Sequence, residues 1–508
     1  MDASTPRRLY NLRSSERRQP TVSVQDLSLR VSLRKRVSGT DDTECSGQKR
    51  QRTQQSFGPA FSSPDAVNPP RYINFPEQRT VVPLPKRLSD RLQEKPYGTL
   101  GKLPTDAVMH MLSKIPYNSL GKMAMTSKAW MEIIHRYVFS GSFRVRWLCD
   151  ISDSSDVLPE SPNDTFYAMG KLVRQITFNQ VIDSRISVLQ TFVTSAYEAG
   201  ASLAGLGRII HAFVKNRDEN IEIQVIDNLV AMCFSVMESL KDELCSVIER
   251  SDTDRQLAGD ENMDIMYYEM EIRKKTTALF LSNGSSDPAF GMNKYFLSSL
   301  LKVFKNLYGS LPTSLFYLLF SPTTIHNGSE VINWHRLSLV SVTSLEDAQE
   351  LKPLSRALYA LLQCRTLKNV VPWTRNTIFN LMEEVTTYPS PWSMNTFVSL
   401  QVLEPELVPI GVIARMHRSH EDEAGDMICT MKMLLHRWDM DVQGVMDSVM
   451  HSIKSGLKPP QRRCLFDRCW DWHQRNIEEL RLRIGRYIDI RAEIESQIEV
   501  MPVLMKLL

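Results

Sequence analysis

Beyond about residue 150 the apolar side chains recur at intervals of three and four, the spacing of one face of an α-helix. In "NKYFLSSLLKVFKNLYG", Phe296, Leu300, Val303, Phe304 and Leu307 share such a face. "SRALYALLQCRTLKNV", "GDMICTMKMLLHRW" and "VQGVMDSVMHSIKSG" repeat it, with Gly or Pro near their ends as stops. Alternating strand patterns bounded by turn dipeptides are scarce, so the pattern predicts an all-α fold rather than a large sheet. Polar breaks at 152–164, 250–262 and 282–291 read as loops between helical layers.

Two features bear on how these helices assemble. Pro372-Trp373-Thr374-Arg375-Asn376-Thr377-Ile378 is echoed nineteen residues later by Pro391-Trp392-Ser393-Met394-Asn395-Thr396-Phe397. In each copy the hydroxyl after Trp is positioned to cap a helix. A period of nineteen is shorter than the common two-helix repeats, so a solenoid and a chance echo both stay open. Near the C-terminus, Ile477, Leu480, Ile484, Tyr487, Ile494 and Ile498 approach heptad spacing. They predict a terminal helix docking on the body by this face, or else a short dimerising coiled coil.

Residues 103–130, "LPTDAVMHMLSKIPYNSLGKMAMTSKAW", pack three short helical patterns into little chain. Asp106 lies in the first turn of the first helix, where a carboxylate favours the helix dipole. Val108, Met111, Leu112 and Ile115 give that helix a continuous apolar face. Pro116 ends it, and Asn118 or Ser119 is available to cap the second helix, whose inner face holds Leu120, Met123 and Ala124. Ser127 is positioned to cap a third, with Trp130, Ile133 and Ile134. Three such helices present more apolar surface than they can bury among themselves. Something else must cover the excess.

Residues 1–95 differ in kind. They hold 18 Lys and Arg against 10 Asp and Glu, while the rest of the chain holds 43 against 48. Rich in Pro, Ser, Gln and Arg, they lack the apolar surface to offset the entropy of ordering, which predicts a disordered basic arm. Within it Arg34, Lys35 and Arg36 are separated by a spacer of twelve residues from Lys49, Arg50 and Arg52. That layout resembles a bipartite nuclear-localisation signal and predicts a nuclear address, with the cytoplasm as a second location. Nucleic-acid contact by the arm ranks lower, because no recognition fold accompanies it.

Composition narrows the class. Of the 508 residues 42% are hydrophobic and 23% charged, which predicts mostly folded, soluble protein. Apolar runs reach only six residues, as in Leu315–Phe320, so no membrane span is expected. The opening "MDASTPRRLYNLRSSERRQP" has no apolar core of a secretory signal. Eight cysteines without paired spacing suit thiols in a reducing compartment.

In 98–142 the order Leu103-Pro104, Asp106, Val108 with Met111-Leu112, Ile115-Pro116, Leu120, Ser127-Lys128 and Trp130 resembles the F-box. The resemblance implies a three-helix module that docks on the Skp adaptor and, through it, a cullin scaffold of a ubiquitin ligase. It carries an adaptor-binding role onto Leu103, Pro104, Val108, Met111, Leu112, Ile115, Pro116, Leu120 and Trp130. Two departures stand out: Ser119 replaces the acidic residue often found before the second-helix Leu, and the third helix lacks the usual Trp-Arg close, for which Trp147 is the nearest substitute. The whole order is a basic arm (1–95), an F-box (98–142) and a large helical, solenoid-like region (150–508) without WD or leucine-rich repeats. It resembles one group of F-box-only proteins, associated with germ cells and meiotic chromosomes.

The resemblance implies a non-catalytic receptor whose helical region binds a protein substrate that the sequence does not name. A meiotic or chromatin scaffold that uses the adaptor pair without degradation is the rival reading. The chain itself offers no catalytic motif: no phosphate-binding loop, zinc-protease helix or nucleophile elbow is present. Cys464, Cys469 and His473 are the nearest approach to a metal cluster, and without an evident fourth ligand they read as packing. No cofactor and no metal is expected.

Overall fold

Polar side chains start several helices where local chemistry allows. The Ser127 hydroxyl accepts from the Trp130 N–H at 3.2 Å and opens a helix over Lys128–Val138. Asp164 accepts from the N–H groups of Phe166 and Tyr167, and Ser202 from that of Gly205. Each bond satisfies one of the orphan donors at a helix N-terminus.

The computed structural model describes residues 103–508, except 154–163, 216–218, 254–262, 282–290, 292, 309–312, 334–343, 365–372, 388–392 and 483–486. All described residues fall in the compact unit Asn74–Leu508. The basic clusters at 34–36 and 49–52, and most of each predicted inter-helix loop, lie outside the described residues.

The first half runs α1 (Thr105–Ser113), α2 (Tyr117–Ala124), α3 (Lys128–Val138), α4 (Gly141–Asp153), α5 (Thr165–Ile176), α6 (Ile182–Glu198), α7 (Leu203–Val214), α8 (Glu219–Val236) and α9 (Glu238–Thr253). Then come α10 (Met263–Thr276), which widens into a π-turn over Thr277–Leu281, α11 (Asn293–Tyr308) and α12 (Thr313–Phe320). A two-stranded hairpin follows, β1 (Thr323–His326) and β2 (Ser329–Ile332). The second half holds α13 (Leu345–Gln349), α14 (Lys352–Cys364), α15 (Arg375–Thr387), α16 (Met394–Val402), α17 (Val408–His417), α18 (Glu421–Arg437), α19 (Val442–Gly456), α20 (Pro459–Leu482) and α21 (Tyr487–Leu504). The fold is helical, as the periodicity predicts. The hairpin is the addition: Asn327 and Gly328 both take positive φ, 48° and 80°, the turn that an Asn-Gly pair favours.

From α15 onward the packing is regular. α15 packs on α17, α16 on α18, α17 on α19, α18 on α20 and α19 on α21. Every helix is thus covered by the one two places along, the nearest-neighbour logic of a solenoid. The echoed Pro-Trp segments lead into consecutive helices, α15 and α16. Thr374 caps the first by accepting from the Thr377 N–H at 3.2 Å, whereas the Ser393 hydroxyl makes no capping bond. Phe379 and Phe397 meet edge to face at 6.2 Å. The Arg415 guanidinium lies over both rings and pairs with Glu383 at 2.6 Å and Glu423 at 3.0 Å.

The terminal helix docks by a different face from the one its heptad spacing predicts. α21 buries Val500, Val503 and Leu504, while Ile494 and Ile498 stand 42% and 67% exposed, as does Ile477 on α20 at 43%. The helix carries two apolar stripes, and the one facing α18 and α19 is the one outside the heptad set. The side chains of Leu480, Ile484 and Tyr487 lie outside the described residues.

The Cys464–Cys469–His473 group is built as packing. His473 Nε2 lies 3.8 Å from the Cys429 Sγ and its Nδ1 3.4 Å from the Lys432 Nζ, all buried between α18 and α20. Burial, then the Lys432 charge, holds the imidazole neutral and lowers its pKa to about 3. Among the described residues no three His, Cys, Asp or Glu side chains converge to hold a metal ion, and no single helix is long and apolar enough to cross a membrane.

Candidate functional site

Around α1 the chain leaves one flank of an apolar stripe open. Pro104 precedes the helix with φ −54° and ψ 145°, and its carbonyl accepts the first helical bond, from Val108. Met111 and Leu112 are neighbours in sequence and so lie about 100° apart around the helix. Leu112 points into the core at 1% exposure, and Met111 faces solvent at 43%. Leu103, at 40%, and Pro104 are exposed before the helix begins, and Pro116 is exposed after it ends. Val108, Ile115 and Trp130 are half-buried. Met125, exposed at the end of α2, joins the uncovered apolar residues.

Two of the sequence-derived docking residues are enclosed. Leu112 and Leu120, at 1% and 0% exposure, pack the helices together and support the surface from beneath. The second helix also begins earlier than its candidate caps imply. It starts at Tyr117, directly after Pro116, whose carbonyl accepts from the N–H groups of Ser119 and Leu120. Neither Asn118 nor Ser119 caps it, because Pro116 (φ −59°, ψ 146°) already holds the turn.

What covers the inner faces is the chain itself. α4 continues without a gap past residue 142 and carries Phe143, Arg146, Trp147 and Asp150 against the module. Tyr117 is buried, donates its hydroxyl to Asp150, and meets Phe143 and Trp147 edge to face at 5.7 and 6.1 Å. The Arg146 guanidinium sits 4.5 Å over the Tyr117 ring, pairs with Asp150 at 3.5 Å and donates to the Leu112 carbonyl at 3.3 Å. It thereby adds a second donor to a carbonyl that already accepts from the Ile115 N–H at 3.2 Å. Burial, followed by the Asp150 hydrogen bond, pushes the Tyr117 phenol far above its ordinary pKa, so it remains a donor.

α5 covers α2 from the other side. A Cβ on Gly121 would fall 1.8 Å from the Gln175 Oε1, so the glycine leaves room for the Gln175 amide to sit over α2. The bonds from Tyr117 to Asp150 and from Arg146 to Leu112 escape the linear pattern because their partners lie more than thirty residues apart. Only the aromatic and charged make-up of "GSFRVRWLCD" hinted at a fourth packing helix.

The result is a partly uncovered apolar flank on α1, with prolines at both ends. Its exposed apolar groups are Leu103, Pro104, Met111, Pro116 and Met125, with Asp106, His110 and Lys114 exposed between them. Comparison with known families matches residues 260–508 to the family described as FBXO47, ARM repeats. The match covers α10 onward and supports a resemblance of the chain to F-box only protein 47, with a helical-repeat C-terminal region. Comparisons with curated proteins and with solved structures found no match.

Proposed function

We propose that the chain is a non-catalytic receptor subunit of a Skp–cullin–F-box ubiquitin ligase. In this reading the open flank of α1, with Leu103, Pro104, Met111 and Pro116, docks on the Skp adaptor. Val108, Ile115 and Trp130 contribute partly, and Leu112 and Leu120 hold the surface in shape. The helical stack then binds a protein target. The observation that carries the proposal is the split apolar stripe of α1: its own chain covers Leu112 and leaves Met111 and Leu103 to water. Exposed apolar side chains clustered on a rigid element mark interaction sites.

The test is a Leu103→Ala, Met111→Glu double variant of the full chain. Both positions are exposed, so the thermal midpoint should stay near that of the native chain. Adaptor co-purification should fall more than tenfold, the usual cost of losing a central anchor. Undiminished adaptor capture by the folded variant would overturn the assignment. If the adaptor is captured but cullin is absent and no bound target accumulates on loss of the protein, the scaffold reading replaces the receptor.

The same proposal includes a nuclear address in the basic arm. Ala at Arg34, Lys35, Arg36, Lys49, Arg50 and Arg52 should shift a tagged chain to the cytoplasm by microscopy. Unchanged nuclear staining would remove these clusters as the signal. The target itself is expected among nuclear, meiotic proteins.

A further inference from the structure

Within the solenoid-like half lies a groove of about 530 Å³, bounded by the 3₁₀ turn Pro405–Leu407, α17 and α19, with the end of α14 and the start of α15 at its edges. Its floor is made by core side chains: Ile410, Ile413 and Val449 line it and are buried by the fold beneath. The floor is therefore set before anything binds. One wall is a single face of α19 running from Asp441 through Ser448 and Ser452 to Ser455.

The length of that wall argues for the shape of the occupant. Asp441 to Ser455 spans about 21 Å at the helical rise of 1.5 Å per residue. An extended chain covers that distance with about six residues. A compact small molecule would leave most of the wall bare. The serines suit the backbone that any extended peptide carries, since each hydroxyl can donate and accept. Ser455 already donates to the Ser452 carbonyl at 2.7 Å, which leaves its oxygen free to accept.

Charge argues for the side chains. The lining holds the carboxylates of Glu406 and Asp441 against one base, Arg375. Glu406 is exposed, and Asp441 lies at the N-terminus of α19, accepting from the Gly444 N–H at 2.9 Å. The net field is negative beside an apolar floor.

We infer that this groove is the target-docking surface, and that its occupant is an extended partner peptide of roughly six residues. The peptide lays an aliphatic side chain on Ile410, Ile413 and Val449 and sets a Lys or Arg against Glu406 and Asp441. The inference deepens the receptor reading and rests on it for the identity of the occupant as a target.

The experiment selects a random octapeptide library, displayed on phage, against the immobilised full chain. Enriched sequences should carry an aliphatic residue with Lys or Arg within two positions. Ser452→Trp, which fills the groove from an exposed position, should cut recovery of those clones at least tenfold. Glu406→Lys should turn the preference from basic to acidic residues. Circular dichroism of both variants should match the native chain, and either one suffices if the other fails to fold. Clones recovered undiminished on folded Ser452→Trp, or enrichment without a basic–aliphatic pattern, would overturn the groove assignment. So would self-association by sedimentation that Ser452→Trp abolishes, which would make the occupant a second copy. Adaptor co-purification from the same preparations separates the two claims: lost adaptor with retained peptide selection sinks the receptor reading and leaves the groove standing.

Discussion

In the stack formed by α15–α21 each helix finds its cover two places along, whereas α1 is covered at Leu112 and bare at Met111. Both regions use short amphipathic helices with proline punctuation. They differ in the width of the apolar stripe relative to what the chain lays against it. In the stack most stripes are met by their covers, down to the buried Phe379 and Phe397 rings under Arg415, and the outer stripe of the terminal α21 stays bare at Ile494 and Ile498. In the module the stripe of α1 is wider than the cover supplied by α3 and α4. An internal helix left with bare apolar width, unlike the outer face of a terminal helix, is where the proposed docking surface lies.

The comparison breaks most severely at Trp373. Its ring is buried and its indole N–H donates to the Ser298 hydroxyl at 2.7 Å, which joins the start of α15 to α11. Trp373→Ala should cost about 3–5 kcal/mol by urea unfolding, the range for truncating a buried large aromatic. A cost below about 1 kcal/mol, the scale of surface changes, would mean that the stack does not depend on such ties.

A second test uses acid. His211 on α7 is fully enclosed, with Nε2 3.0 Å from the Phe280 carbonyl, and burial lowers its pKa to about 4. Unfolded, it would titrate near 6.5, so the unfolded state binds more protons between those values. Stability from this group is therefore complete above pH 6.5 and is lost as pH falls toward 4. The denaturation midpoint should drop across that window, and His211→Gln should flatten the drop. An equally steep fall in the variant would assign the acid sensitivity elsewhere.

The smallest effect belongs to the module. Ser127→Ala removes the cap on α3 and should cost about 1 kcal/mol, with 0.5–2 the usual span. Ser127→Gly should recover most of that loss by the same thermal measurement.

These contrasts also explain what the linear pattern could reveal. Helix content followed from periodicity, and the caps at Ser127 and Thr374 from a hydroxyl placed before an apolar run. The Asn327-Gly328 turn was a readable signal, but its strands have four residues each, too short for alternation to stand out. The split between Met111 and Leu112 was not readable, because only the packed position of α1 decides which flank of the stripe meets water. The docking face of α21 was misread for a related reason: two apolar stripes share one helix, and the more regular one faces outward. The ties from Tyr117 to Asp150 and from Arg146 to Leu112 link positions with no local signature at all.

The cover that α5 gives α2 also has a consequence for the order of events at the ribosome. Leu120 and Gly121 leave the exit tunnel well before Gln175 does, and translation adds roughly 5–20 residues per second. For several seconds the emerging α1–α3 segment carries the apolar faces of α2 and the flank of α1 uncovered together. During that interval the nascent chain is a better client for a holdase chaperone than the finished protein is. Slow synonymous codons decoded while residues 121–175 leave the tunnel would lengthen the exposure without changing a single side chain.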